Sequence, residues 1–110
     1  MSAYLFHLVH TPATLAKLIA APEDRRAAIE PIFKAAGGSV LGFWYVVGGA
    51  EVYALGDLPD DVVATGIAAK VISSGAFSST TTTKLLTVEE MLTALGGSAS
   101  TSYRAPGEPA

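Results

Sequence analysis

Hydrophobic residues change their spacing several times along the chain, and each change marks an element boundary. Residues 4–10 (Tyr-Leu-Phe-His-Leu-Val-His) form a short run, aromatic and branched in part, that stops at Thr11-Pro12, as a strand feeding a helix does. Thr11 can cap with its hydroxyl, and Pro12 suits the first helical position, where no N–H is needed. A helical stripe begins with Leu15, Leu18 and Ile19. It resumes past Pro22 as Ile29, Ile32, Phe33 and Ala36, at i, i+3, i+4 and i+7, so the spacing predicts a helix broken near Ala21-Pro22. Pro31 lies inside the second piece and should bend it, because its ring opposes the carbonyl of Ala27. Gly37 and Gly38 then close it.

Residues 40–47 are rich in Val, Phe, Trp and Tyr and predict a second strand. Gly48-Gly49 offers a hairpin turn into a third strand over residues 51–55. Leu58-Pro59-Asp60-Asp61 opens another helix with acidic residues near its positive end. Val63, Ile67 and Val71 lie along one side of it, and Ser73-Ser74-Gly75 stops it. Residues 78–86 predict a fourth strand. The six consecutive hydroxyl residues at 78–83 have no base at suitable spacing to make a nucleophile, and they suit a sheet edge with cross-strand hydroxyl pairing. Thr87-Val88-Glu89-Glu90 matches a capping box, with Val88, Met91, Leu92 and Leu95 as the inward face of a short helix that Gly96-Gly97 should stop. The remainder is mostly Ser, Thr, Ala, Gly and Pro, so the reading is one domain over residues 1–96 and a flexible C-terminal tail over 97–110.

The order β-α-β-β-α-β plus a terminal helix is that of an α+β, ferredoxin-like domain with a four-stranded antiparallel sheet. Such a sheet carries helices on one face only. In the second strand Leu41, Phe43, Tyr45 and Val47 in one phase, and Val40, Trp44 and Val46 in the other, are all apolar, so the far face should not be left in water. A second copy of the chain is the expected cover, giving a homodimer or higher oligomer whose two sheets enclose a partly lined cavity for a small molecule.

Composition narrows the chemistry. The chain has 110 residues, half of them hydrophobic and 15% charged, which suits one folded domain. Seven Lys plus Arg against ten Asp plus Glu leave a formal charge of −3, so no nucleic-acid partner is expected. There is no cysteine, which removes disulfides, thiolate metal sites and thiol nucleophiles. The first ten residues lack the basic start of a signal peptide, and the uncharged stretch over residues 35–50 is glycine-punctuated and shorter than the roughly 20 residues a bilayer needs. The expectation is a cytoplasmic protein with no membrane partner.

His7 is the leading titratable candidate, because imidazole exchanges protons near neutrality. His10, three residues on, points to the opposite face of a regular strand, so the pair should not share a metal; His10 reads as a solvated residue beside the helix cap. Glu51, Tyr53 and Leu55 share one face of the third strand, leaving Val52 and Ala54 to pack under the helices. The first and third strands of this fold are neighbours, so His7, Glu51 and Tyr53 could form a cluster able to move a proton. In the competing reading His7 and Tyr53 are interface core and Glu51 closes the hairpin. Trp44, Phe43 and Tyr53, with Tyr45 beside them, are candidates to line a pocket for a flat apolar ligand or to form core and dimer contacts. No cofactor or metal is called for. The glycine pairs lack phosphate-binding patterns, and Arg25-Arg26 is too small a basic patch for anion binding.

One set of pieces, taken in order, is familiar: Tyr4 and Thr11; Asp24-Arg25-Arg26; Gly37-Gly38; Gly48-Gly49-Ala50-Glu51 leading through residues 52–57 to Leu58-Pro59-Asp60; and a Thr-rich strand running into Thr87-Val88-Glu89-Glu90. Together they resemble the GYD-domain family. At the namesake turn this chain has Ala50 in place of the aromatic and Glu51 in place of aspartate, so the carboxylate survives one methylene longer. The resemblance implies a dimeric α/β barrel of ferredoxin-like topology. Related barrels include cofactor-free monooxygenases, isomerases or lyases, haem enzymes and plain ligand-binding proteins, and the fold does not choose among them. Three functions follow as expectations: an oligomer binding a small, partly apolar ligand between subunits; a cofactor-independent enzyme with His7 as general base and Glu51 and Tyr53 orienting it or the substrate; or an accessory protein whose sheet binds another protein.

Overall fold

The computed structural model describes residues 1–109, and its elements alternate as the sequence spacing predicts: β1 (Ser2–His10), α1 (Pro12–Ala20), α2 (Arg25–Ala35), β2 (Ser39–Tyr45), β3 (Glu51–Leu58), α3 (Asp61–Ser73), β4 (Phe77–Leu85) and α4 (Val88–Ser98). The strands form one sheet in the order β2-β3-β1-β4, every neighbouring pair antiparallel. The fold is α+β and ferredoxin-like.

Local chemistry explains most boundaries. Thr11 caps α1 by accepting from the Thr14 backbone N–H at 3.2 Å, with Pro12 in the first turn. Asp24 caps α2 and Asp60 caps α3 in the same way, at 3.0 and 2.9 Å. Helix α2 runs through Pro31 and ends where Gly37 takes a φ of 90°; the β2–β3 turn likewise uses Gly48 at 69°. The capping box is complete: Thr87 Oγ1 accepts from the Glu90 N–H at 3.1 Å, and the Glu90 carboxylate accepts from the Thr87 N–H at 2.9 Å.

Strands β1 and β3 bury alternate residues. Tyr4, Phe6 and Leu8, with Val52, Ala54 and Leu58, meet Phe33 of α2 and Ala64 of α3 in the core, and Ile29, Ala36, Val63, Ile67 and Val71 pack around them. Leu58 is 0% exposed, and burying such a side chain contributes about 1.5–3 kcal/mol. That burial is why β3 continues to Leu58 rather than ending at Leu55: Gly56 and Asp57 are held between Tyr4 and Ala3 of β1 and Val40 and Ser39 of β2.

Other expectations are corrected. Strand β2 stops at Tyr45, because Val46 closes the turn by donating to Glu51 O, and Val47 is fully exposed. Helix α4 runs through Gly96-Gly97 to Ser98. Its apolar stripe is not inward: Val88, Met91, Leu92 and Leu95 are between 47% and 77% exposed, and α4 makes no more than slight contact with any other element. The projection shows in the dimensions, with a radius of gyration of 18.2 Å and a long axis of 61 Å, where a compact chain of this length has a radius of about 13 Å. Residues 99–109 carry no helix or strand. No described helix is long and apolar enough to cross a membrane.

Candidate functional site

Antiparallel register decides which side chains meet. Trp44 of β2 pairs with Tyr53 of β3, Tyr53 with His7 of β1, and His7 with Thr81 of β4, so one row crosses the whole sheet. Partners in register lie on the same face, here the one opposite Tyr4, Phe6 and Leu8. Helices α2 and α3 pack on the core face, and among the described residues no helix packs on this one. Leu5, Val9 and Leu55 flank the row and are half-buried by their neighbours alone.

His7 and Tyr53 stack, ring centroids 4.6 Å apart and planes inclined by 23°. Glu51 pairs with Val9, which makes it the diagonal neighbour of His7, and its Oε1 lies 3.2 Å from His7 Nε2. A carboxylate accepts, so Nε2 carries the hydrogen and, in the uncharged ring, Nδ1 is left with a lone pair and no partner among the described residues. That is the arrangement of an oriented proton acceptor. Trp44 is 54% exposed, and its indole folds back over Gly42, where a β-carbon would collide with the ring. The row thus has an apolar plate at one end, a titratable pair at its centre and a hydroxyl at the other.

Sequence reasoning also grouped Phe43 with Trp44 and Tyr53 as a ligand-lining set, and the structure separates them. Phe43 pairs with Ala54 and faces the helices, packing against the core and edge-on to Tyr45 at 5.4 Å. Adjacent residues of a strand point to opposite faces, and where both phases are apolar neither is marked as outward. His10 is corrected too: it is 6% exposed, not solvated. Its ring lies 5.0 Å from that of Phe77, and its Nδ1 is 3.1 Å from the Ala50 carbonyl oxygen. As expected, His7 and His10 face opposite ways.

Two features had no signal in the sequence. Between the sheet and helices α2 and α3 is an apolar cavity of 90 Å³ lined by Phe6, Leu8, His10, Phe43 and Phe77 among others; a second recess of 280 Å³ lies between α2 and α3, with Ile29, Ile32 and Val63 in its walls. The other is a clamp joining β1, α3 and β4. Tyr4 donates its hydroxyl hydrogen to Asp61 Oδ1 at 2.6 Å, and Lys84 Nζ lies 2.9 Å from the same oxygen. The Lys84 bond, then the Tyr4 bond, hold the Asp61 carboxyl below its ordinary range, and the bond to Asp61 raises both Lys84 and Tyr4 above theirs. These contacts tie β1, α3 and β4 together at the edge of the helix side. Among the described residues no group of three His, Asp or Glu side chains could hold a metal.

The family model of the GYD domain matches residues 4–95. No curated protein matches the chain.

Proposed function

The chain belongs to the GYD-domain family, and we propose that it acts as a homodimer or higher oligomer that holds a small, partly apolar ligand over the uncovered face of its sheet, in a space closed by a second copy. The observation that supports this most is the row Trp44–Tyr53–His7–Thr81, with Glu51 beside it, on the face that no helix packs against. A half-exposed indole next to a stacked imidazole and phenol gives a flat ligand two kinds of contact: dispersion along the rings and hydrogen bonds at His7, Glu51 and Thr81. A second sheet laid over the first would remove Trp44, Leu5, Val9 and Leu55 from water.

Sedimentation velocity and indole fluorescence test the proposal together. The wild-type chain is expected to sediment as a dimer or larger, and Trp44→Glu as a monomer with its fold retained. Single- and double-ring phenols and quinones should quench Trp44. A monomer at every concentration, with an indole signal that no member of that panel changes, would overturn the reading. Recovery of the chain as a stable complex with a different protein seated on the sheet would replace the second copy by that protein.

The 3.2 Å approach of Glu51 to His7 Nε2 favours a second reading, in which Nδ1 of His7 takes a proton from the bound molecule while Glu51 steadies the imidazolium and Tyr53 holds its plane. Here His7→Gln should leave the oligomer intact, weaken ligand binding only modestly, and abolish turnover. Equal turnover in the variant would reject His7 as the base.

A further inference from the structure

We propose that the cavity between the sheet and helices α2 and α3 is a second binding site, on the face opposite His7, for a small neutral aromatic molecule carrying one hydrogen-bond donor, with phenol as the simplest example, and that His10 Nε2 accepts that donor. The inference starts from the unused nitrogen. A carbonyl oxygen can only accept, so the contact between His10 Nδ1 and Ala50 O, at 3.1 Å, puts the ring hydrogen on Nδ1. In the uncharged ring Nε2 is then an acceptor, and it has no partner among the described residues. No side-chain nitrogen or oxygen among those residues is sealed from space without a partner, so Nε2, in a residue only 6% exposed, keeps accessible surface, and His10 is one of the residues lining the cavity. Nε2 is therefore free to accept one hydrogen bond from a molecule in the cavity.

The cavity, 90 Å³ and partly open to solvent, offers a water few polar partners and a ring many apolar ones. Besides Nε2, the only polar side chain in the lining is Arg25, whose guanidinium is paired with Glu23 at 2.9 Å. Phe6, Phe33, Phe43 and Phe77 supply ring edges and faces; Phe6 and Phe33 already meet edge-to-face at 5.8 Å. A single aromatic ring suits such walls and a hydrated ion does not.

The test uses the full chain with phenol and toluene, two ligands of one shape that differ in the donor. On titrating wild-type protein with phenol, the 15N resonance of His10 Nε2 should move upfield, and the methyls of Ile67 and Val71 should shift, whatever happens at Trp44 on the opposite face. Toluene should shift the same methyls and leave Nε2 unmoved. In His10→Phe, which keeps the aromatic packing and removes the acceptor, the phenol-to-toluene affinity ratio should fall about fivefold, the worth of one net hydrogen bond. No movement of Nε2 at phenol saturation, shifts confined to Trp44 and its neighbours, or an unchanged ratio in His10→Phe would each overturn the proposal. The resonance measurement needs no variant, so it stands even if His10→Phe does not fold. Trp44→Ala should leave phenol binding to this cavity unchanged, which separates its fate from that of the opposite face.

Discussion

The two faces of the sheet are built from the same strands, one residue out of phase, and they differ in almost every physical respect. His10 looks toward the helices, is nearly inaccessible, and is fixed by a backbone carbonyl from the neighbouring hairpin. His7 looks the other way, is about a third exposed, and is held by a side chain, Glu51. Three residues of strand separate a histidine embedded in packing from one presented for exchange with its surroundings. An imidazole's chemistry therefore follows from the face it is on and from which of its two nitrogens is already engaged.

The sharpest way to expose the contrast is to remove mass from each face. Leu58→Ala, in the core, should cost about 2–5 kcal/mol in denaturant unfolding. Trp44→Ala, on the other face, should cost less than about 1 kcal/mol in the isolated chain and show its main effect as weakened self-association. A large loss of monomer stability on removing Trp44 would break the comparison. Next in size are the histidines themselves: His10→Ala should destabilise by about 2 kcal/mol, through an emptied site and an unpartnered Ala50 carbonyl, while His7→Ala stays within about 0.5 kcal/mol.

The clamp on the helix side adds a pH signature. Asp61 titrates below its ordinary range, so its contribution to stability is full above the ordinary carboxylate pKa and is lost as pH falls through the depressed value. Lys84 and Tyr4 are raised, so theirs is full below their ordinary values and is lost as pH rises through the elevated ones. Asp61→Asn should therefore flatten the acid limb of a melting-temperature profile, modestly, because Asp61 and Lys84 are well exposed. An unaltered acid limb would show that the clamp carries no weight. Smallest of all, Thr87→Ala should change the global unfolding free energy by less than about 0.5 kcal/mol, because the helix it caps makes no more than slight contact with any other described element.

What could be read from the residues alone follows the same division. Strand β1 alternates buried Tyr4, Phe6 and Leu8 with other side chains, and β3 sets small Val52 and Ala54 against Glu51 and Tyr53, so their faces, and with them the meeting of His7, Glu51 and Tyr53, were legible. Strand β2 is apolar in both phases and slips register between Val40 and Gly42, so nothing local said that Phe43 turns inward and Trp44 outward. His10 sits at a strand end, where burial depends on Phe77 and Ala50 arriving from distant parts of the chain. The Tyr4–Asp61–Lys84 clamp joins residues 57 positions apart in one of its bonds and leaves no periodic trace. A cavity has no residue of its own, only walls, and its existence depends on how far apart two helices settle.

Helix α4 has only 11 residues, two of them glycines, and a capping box in place of tertiary support. Isolated helices shorter than about 12–15 residues are marginal in water, so α4 should be fully helical only where another molecule covers its apolar stripe. Dilution should melt this one segment while the sheet persists, and a far-ultraviolet signal that grows with protein concentration would make the helix a built-in gauge of encounters between molecules.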